Sequence, residues 1–252
     1  MPSLHPPVVL LHGVGLDHTM WAQVTERLRA AGHECIALDL PGHGGQPPLR
    51  QTQTLASLTD DVLTRLPEGK IHLVGFSLGA LIAQHIARYS PERVVTLTCV
   101  SSVCLRTPAE AEKVEHRLAT AGDNFAGGVD ASIERWFPAD STTVSPDIIE
   151  AIRKTLLAND TESYLHAYAV FAREDRVIGS ELQQIHTPTL AITGELDPGS
   201  TPEMSERLGR AIPNCRVHII PGTHHMMPVE DAPGLAAAIT AFIDESEGHQ
   251  ND

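Results

Sequence analysis

Short β-branched apolar runs alternate with amphipathic stretches along most of this chain, and that alternation restricts the possible folds more than any single motif. The runs are PVVLL (7–11), ECIAL (34–38), IHLVG (71–75), VVTLTCV (94–100), TLAIT (189–193) and RVHII (216–220). Between them, stretches such as MWAQVTERLRAAG, closed by Gly32, and LGALIAQHIARYS, closed by Pro91, carry helical periodicity. Strands that are apolar on both faces need cover on both sides. The sequence therefore predicts an α/β fold on a mostly parallel sheet of about six strands.

The rhythm breaks once. From about Arg106 to Gln184 there is no strand pattern, and the chain reads as successive helices: PAEAEKVEHRLATAG, DASIERWF, SPDIIEAIRKTLLAND and TESYLHAYAVFARED. This predicts a helical lid over 106–184, inserted after the fourth strand of a core domain made from 1–105 and 185–252. The polar tail DESEGHQND is expected to fray.

Composition narrows the functional classes. A net charge of −14 without a basic cluster argues against nucleic acid and anionic membrane surfaces as partners. No apolar run approaches the roughly 20 residues that cross a bilayer, and MPSLHPPVVLLHG lacks the basic start and apolar stretch of a signal peptide. Cys35, Cys99, Cys104 and Cys215 form no C-x-x-C pair and read as reduced thiols, which fits a cytoplasmic protein. The 14 histidines include no H-E-x-x-H and no spaced His/Cys/Asp cluster, so neither a metal nor an organic cofactor is expected.

The most informative stretch is IHLVGFSLGALIAQHIA. Gly75-Phe76-Ser77-Leu78-Gly79 fits G-x-S-x-G between a buried strand and a helix, the context that holds a serine hydroxyl out at the carboxyl edge of a sheet. A serine needs a base, and the base an orienting carboxylate. After such an elbow the chain order is Ser, then Asp or Glu, then His. TLAITGELDPGSTP supplies Asp197 on a loop beyond one strand, with Glu195 as the rival acid. RVHIIPGTHH supplies His224 and His225 beyond the next. Loops leaving the carboxyl ends of parallel strands converge on one edge. The loop after VVTLTCV reads Ser101-Ser102 and offers no acid. After the first strand, His12-Gly13-Val14-Gly15 can aim the Val14 N–H at the same point as the Leu78 N–H, making an oxyanion site, with His12 holding the loop.

Together HGVG, LDLPGHG, GFSLG, GELD and the HH loop resemble the α/β-hydrolase superfamily over nearly the whole chain. In that family the base commonly precedes a glutamate within H-x-x-x-x-E, which implies His225 by its spacing from Glu230 and leaves His224 to the loop or pocket edge. HGVG follows only eleven residues, too few for the antiparallel hairpin that usually opens this fold, so the expected sheet is reduced and all parallel. Gln46 and Ala232 also depart from the family pattern, where serine and proline are often found.

The lid is most similar to those of 3-oxoadipate enol-lactonases and small carboxylesterases, through SIERWF, IRKTLLANDTESYLHAYAVFARED and the earlier LGLDHTMW. The resemblance implies a serine hydrolase that cleaves a small ester or lactone through Ser77, His225 and Asp197. Trp136 and Phe137 would face the pocket and Trp21 its mouth, and Arg135, Arg173 or Arg176 would meet a substrate carboxylate. LDLPGHGG is also similar to the menaquinone-pathway enzyme that eliminates pyruvate. C–C bond hydrolysis or elimination by the same triad is thus the nearest alternative, and a small-lactone receptor on this fold is the alternative of another class. Monomer and homodimer both fit.

Overall fold

In the computed structural model, which describes residues 5–139 and 143–248, six parallel strands form one sheet in the order β2-β1-β3-β4-β5-β6. They are β1 (Val8–Leu11), β2 (Cys35–Leu38), β3 (Ile71–Phe76), β4 (Val94–Val100), β5 (Thr189–Gly194) and β6 (Cys215–Ile220). Among the described residues no strand precedes β1.

The helices follow in chain order. In the first half are α1 (Ala22–Ala30), α2 (Leu55–Arg65) and α3 (Leu78–Tyr89). Between β4 and β5 lie α4 (Pro108–Ala121), α5 (Phe125–Trp136), α6 (Pro146–Leu157), α7 (Thr161–Arg173) and α8 (Asp175–Gly179). The chain ends with α9 (Pro202–Ala211), α10 (Met227–Glu230) and α11 (Ala232–Gly248). The side-chain period of two divides β1 between two cores. Val9 and Leu11 pack with Leu58 of α2, Leu81 of α3 and Leu208 of α9. Val8 and Leu10 pack with Leu28 of α1 and Ile239 of α11 on the opposite face. β6 is an edge strand with Arg216, Val217 and His218 exposed.

Two boundaries differ from the sequence reading. α5 begins at Phe125, ahead of the DASIERWF segment, because the Asn124 side chain accepts from Gly127 N at 3.0 Å and draws two glycines into the first turn. The tail does not fray at Asp244 but continues α11 to Gly248; residues 249–252 lie outside the described set.

The helices after β4 are tied to the strand loops by buried and half-buried polar contacts. Asn159 Nδ2 donates to Gly15 O at 2.8 Å. The Ser163 hydroxyl donates to Gly42 O at 3.0 Å and accepts from Leu49 N at 2.9 Å. Arg106, just before α4, pairs with Asp175 at the start of α8 at 3.0 Å, with both side chains buried. One ion pair thus joins the chain where it leaves the sheet for these helices to the chain where it returns.

Candidate active site

Strand register brings the chemistry to one edge. Leu11 is level with Gly75, Phe76 with Val100, Val100 with Ile192, and Gly194 with Ile220. The loops that leave β1, β3, β5 and β6 therefore start side by side, and they carry Val14, Ser77, Asp197 and His225.

The turn at Ser77 is built by close backbone approach. A Cβ on Gly75 would stand 2.2 Å from Gly79 O, and one on Gly79 2.4 Å from Leu11 O, so neither position admits a larger residue. Ser77 itself takes φ 54° and ψ −112°, a conformation costly for any side-chain-bearing residue. The strain is held by Ser77 N donating to Val100 O at 3.0 Å and Gly79 N to His12 O at 3.1 Å. Leu78 then opens α3, whose first N–H groups favour negative charge beside the serine.

Asp197 is buried and fully engaged. Its Oδ2 accepts from His225 Nδ1 at 2.7 Å, while Oδ1 accepts from Gly199 N at 2.9 Å and Ser200 N at 2.8 Å. A carboxylate only accepts, so Nδ1 is the donor in this contact and Nε2 is the ring nitrogen left over. Glu195, the rival acid, is exposed and accepts from Gly222 N at 3.0 Å. The glutamate five positions after His225 bonds its neighbour instead. His224 N donates to Glu230 Oε2 at 3.0 Å and His224 Nδ1 to Oε1 at 2.9 Å. Burial raises the Glu230 carboxyl above its ordinary value. The hydroxyl of Ser101 donates to the His225 carbonyl at 3.3 Å, a brace that nothing in the sequence pattern signalled.

The imidazole of His225 is walled by aromatics. Phe76 lies 4.9 Å away between ring centroids, and Trp136 stacks at 5.6 Å with 26° between planes. Ser77, Asp197, His225, Val14, Arg135 and Trp136 all line one pocket. Among the described residues no hydrogen bond joins the Ser77 hydroxyl to the imidazole; in unliganded sites such contacts are often long and tighten with substrate. Neither the Val14 nor the Leu78 N–H has an acceptor among the described residues. The Ser200 hydroxyl, on the same pocket wall, is buried without a partner among the described residues.

Two aromatics expected at the pocket sit elsewhere. Trp21 is fully buried against Phe76 with 6.4 Å between centroids, and Phe137 closes α5 as a core side chain. Helical rotation puts Trp136 and Phe137 about 100° apart, so only the first turns to the imidazole. Arg173 pairs with Glu115 at the surface and Arg176 is exposed, whereas Arg135 lines the pocket. The sequence reading did not pick out Arg106, Arg117, Tyr164 and Tyr168, which also line it.

Behind the loop that carries Val14, His12 Nε2 accepts from Leu40 N at 2.8 Å and Nδ1 donates to Gly13 O at 2.7 Å. Burial, reinforced by nearby His43, lowers its pKa to about 3, so it remains a neutral strut. Among the described residues no group of three His, Cys, Asp or Glu side chains is placed to hold a metal, and no helix is long and apolar enough to cross a membrane.

Comparison with known proteins agrees with this architecture. Residues 8–239 match the family described as the alpha/beta hydrolase family. The chain is 27% identical over 241 residues to (E)-2-((N-methylformamido)methylene)succinate hydrolase of Acinetobacter baylyi, covering 94% of this chain and 90% of that one. It is 27% identical over 250 residues to 3-oxoadipate enol-lactonase 1 of the same organism, covering 96% and 90%. The crystal structure of the enol-lactonase from Burkholderia xenovorans superimposes with a TM-score of 0.86 at 25% identity, covering 96% of this chain and 92% of that one.

Proposed function

This chain belongs to the alpha/beta hydrolase family, and on that premise we propose that it hydrolyses a small carboxylic ester or lactone with Ser77 as nucleophile, His225 as base and Asp197 as the orienting acid. The observation that carries this reading is the 2.7 Å bond from His225 Nδ1 to Asp197, which leaves Nε2 as a base in the pocket that Ser77 lines. His225 takes the Ser77 proton as the oxygen attacks the carbonyl carbon, and Asp197 stabilises the imidazolium. The oxyanion is received by the Val14 and Leu78 N–H groups, which have no competing acceptor among the described residues. Proton return from the imidazolium releases the alcohol. Water activated by the same base then cleaves the acyl-serine.

Arg135 supports an acid-bearing substrate, since it lines the pocket without a carboxylate partner among the described residues. The two Acinetobacter relatives, an (E)-2-((N-methylformamido)methylene)succinate hydrolase and a 3-oxoadipate enol-lactonase, point the same way. Trp136, stacked on His225, forms the apolar wall beside the reacting carbonyl. The helices of 106–184 act as the lid that sets which ester enters.

The test is turnover of short esters and an enol-lactone by the wild type and by Ser77→Ala at equal concentration. A drop of roughly 10⁴-fold or more is expected for the variant. Turnover surviving the substitution would remove Ser77 from the mechanism.

A further inference from the structure

A second cavity, of about 270 Å³, lies against the first. Arg117, Ser132, Arg135, Tyr164 and Tyr168 line both, so α4, α5 and α7 supply a common wall. On its far side the second cavity is bounded by Thr120, Asn124, Phe125 and Val129, and among its described lining residues there is no carboxylate. The catalytic pocket has one, Asp197, and all its bonds are committed to His225, Gly199 and Ser200.

The chain has 32 acidic and 18 basic residues, and among the described residues nine arginines are paired with a carboxylate. Between β4 and β5, Arg106, Arg153 and Arg173 each have one, in Asp175, Asp130 and Glu115. Arg117 and Arg135 do not, among the described residues. Arg117 Nε donates to the Tyr168 hydroxyl at 3.3 Å, and Arg135 donates to Ala131 O and Ser132 Oγ at 3.2 and 3.0 Å. Each fork keeps donors in reserve. Burial and the nearby Arg117 charge both act against the Arg135 cation, a cost that an entering anion reverses.

We propose that Arg117, with Tyr168, forms a distal anion subsite in the wall between the two cavities, and that the natural substrate is an elongated ester whose far-end carboxylate reaches it while its carbonyl lies at Ser77. The second cavity then houses the chain end that the catalytic pocket cannot hold. This rests on the hydrolytic reading above for the reacting end only; binding of the acid end is independent of it. The carboxylate can belong to the acyl part or to the alcohol part.

The full chain, Arg117→Met and Arg117→Lys are compared on monomethyl esters of straight dicarboxylic acids from succinate to suberate, on the matching dimethyl esters, and on acetate esters of ω-hydroxy acids. In the wild type the preference for acid over neutral ester, as kcat/KM, is expected to rise with chain length to an optimum. Arg117→Met should cut that preference about tenfold or more, chiefly through KM, and Arg117→Lys should restore part of it. An optimum among the half-esters places the acid on the acyl side, and one among the acetates places it on the alcohol side. A preference independent of length, or one that Arg117→Met leaves intact, overturns the proposal.

Free dicarboxylates are also titrated against Ser77→Ala while thermal unfolding is followed. A saturable rise in Tm that Arg117→Met abolishes is expected; a rise that survives it counts against the subsite. If no ester is turned over yet this Arg117-dependent rise is seen, the hydrolytic reading fails and the anion subsite stands. Ser77-dependent hydrolysis with no Arg117 dependence does the reverse, keeping the hydrolase and overturning the subsite.

Discussion

Glu230 holds His224, not the histidine that lines a pocket with Ser77. Its two oxygens take the backbone N–H and the ring Nδ1–H of His224, so the residue next to the proposed base is clamped while His225 is left to Asp197. Glu230→Gln replaces one acceptor with a donor in a buried site. The expected result is a stability loss of about 1–3 kcal/mol by denaturant unfolding and a lower kcat at nearly constant KM, because the loop and not the binding wall has loosened.

Asp197→Asn tests the acid more sharply than truncation. The aspartate serves two backbone N–H groups with one oxygen and the imidazole with the other. An amide that keeps its oxygen on the backbone turns its NH₂ toward Nδ1 and moves the ring proton to Nε2. Turnover should fall by about 10⁴-fold with the fold intact by circular dichroism.

His12 makes stability depend on pH. Its folded pKa of about 3 lies below the ordinary 6.5, so on acidification the unfolded chain takes up a proton that the native state refuses. Stability from this group is complete above about pH 6.5 and falls toward pH 3, by up to about 1.4 kcal/mol per pH unit. His12→Gln, whose side-chain oxygen can accept from Leu40 N, should flatten that part of the profile measured by urea unfolding.

The Arg106–Asp175 pair should show strong non-additivity. Asp175→Asn leaves a buried guanidinium without its counter-charge, with an expected cost of about 3–5 kcal/mol. Adding Arg106→Met should return much of the loss in the same unfolding assay. Equal and additive losses would show that the two ends of the helical segment are not coupled here.

Two glycines predict opposite outcomes. A Cβ on Gly75 meets backbone at 2.2 Å, so Gly75→Ala should yield little folded protein. Gly128 sits in α5 with nothing within 4 Å of its Cβ. Gly128→Ala should stabilise by roughly 0.5–1 kcal/mol, a rise of a few degrees in Tm by calorimetry.

The sheet was legible because buried parallel strands are written as unbroken apolar runs, and their chain order fixes which loops share an edge. Ser77, Asp197 and His225 could be ordered by the same logic, since each follows a strand. The pocket walls were less legible. Whether Trp136 or Phe137 turns inward depends on how α5 is rotated against the sheet, and Trp21 reads alike as core or cleft until its neighbours are placed. Arg117 carries no signal at all in its helix; its significance comes from lacking an acid in a folded neighbourhood, which periodicity cannot express. Likewise, the spacing from Glu230 pointed to one histidine while the bond is made to the other.

The even finish of the strands divides labour along the chain. Groups proposed to break the bond hang from the ends of β1, β3, β5 and β6, whereas the arginines and tyrosines that would choose the molecule lie on helices inserted between β4 and β5. Replacing those helices would change the diet of such an enzyme and leave its teeth in place, so the two properties are free to drift at separate rates.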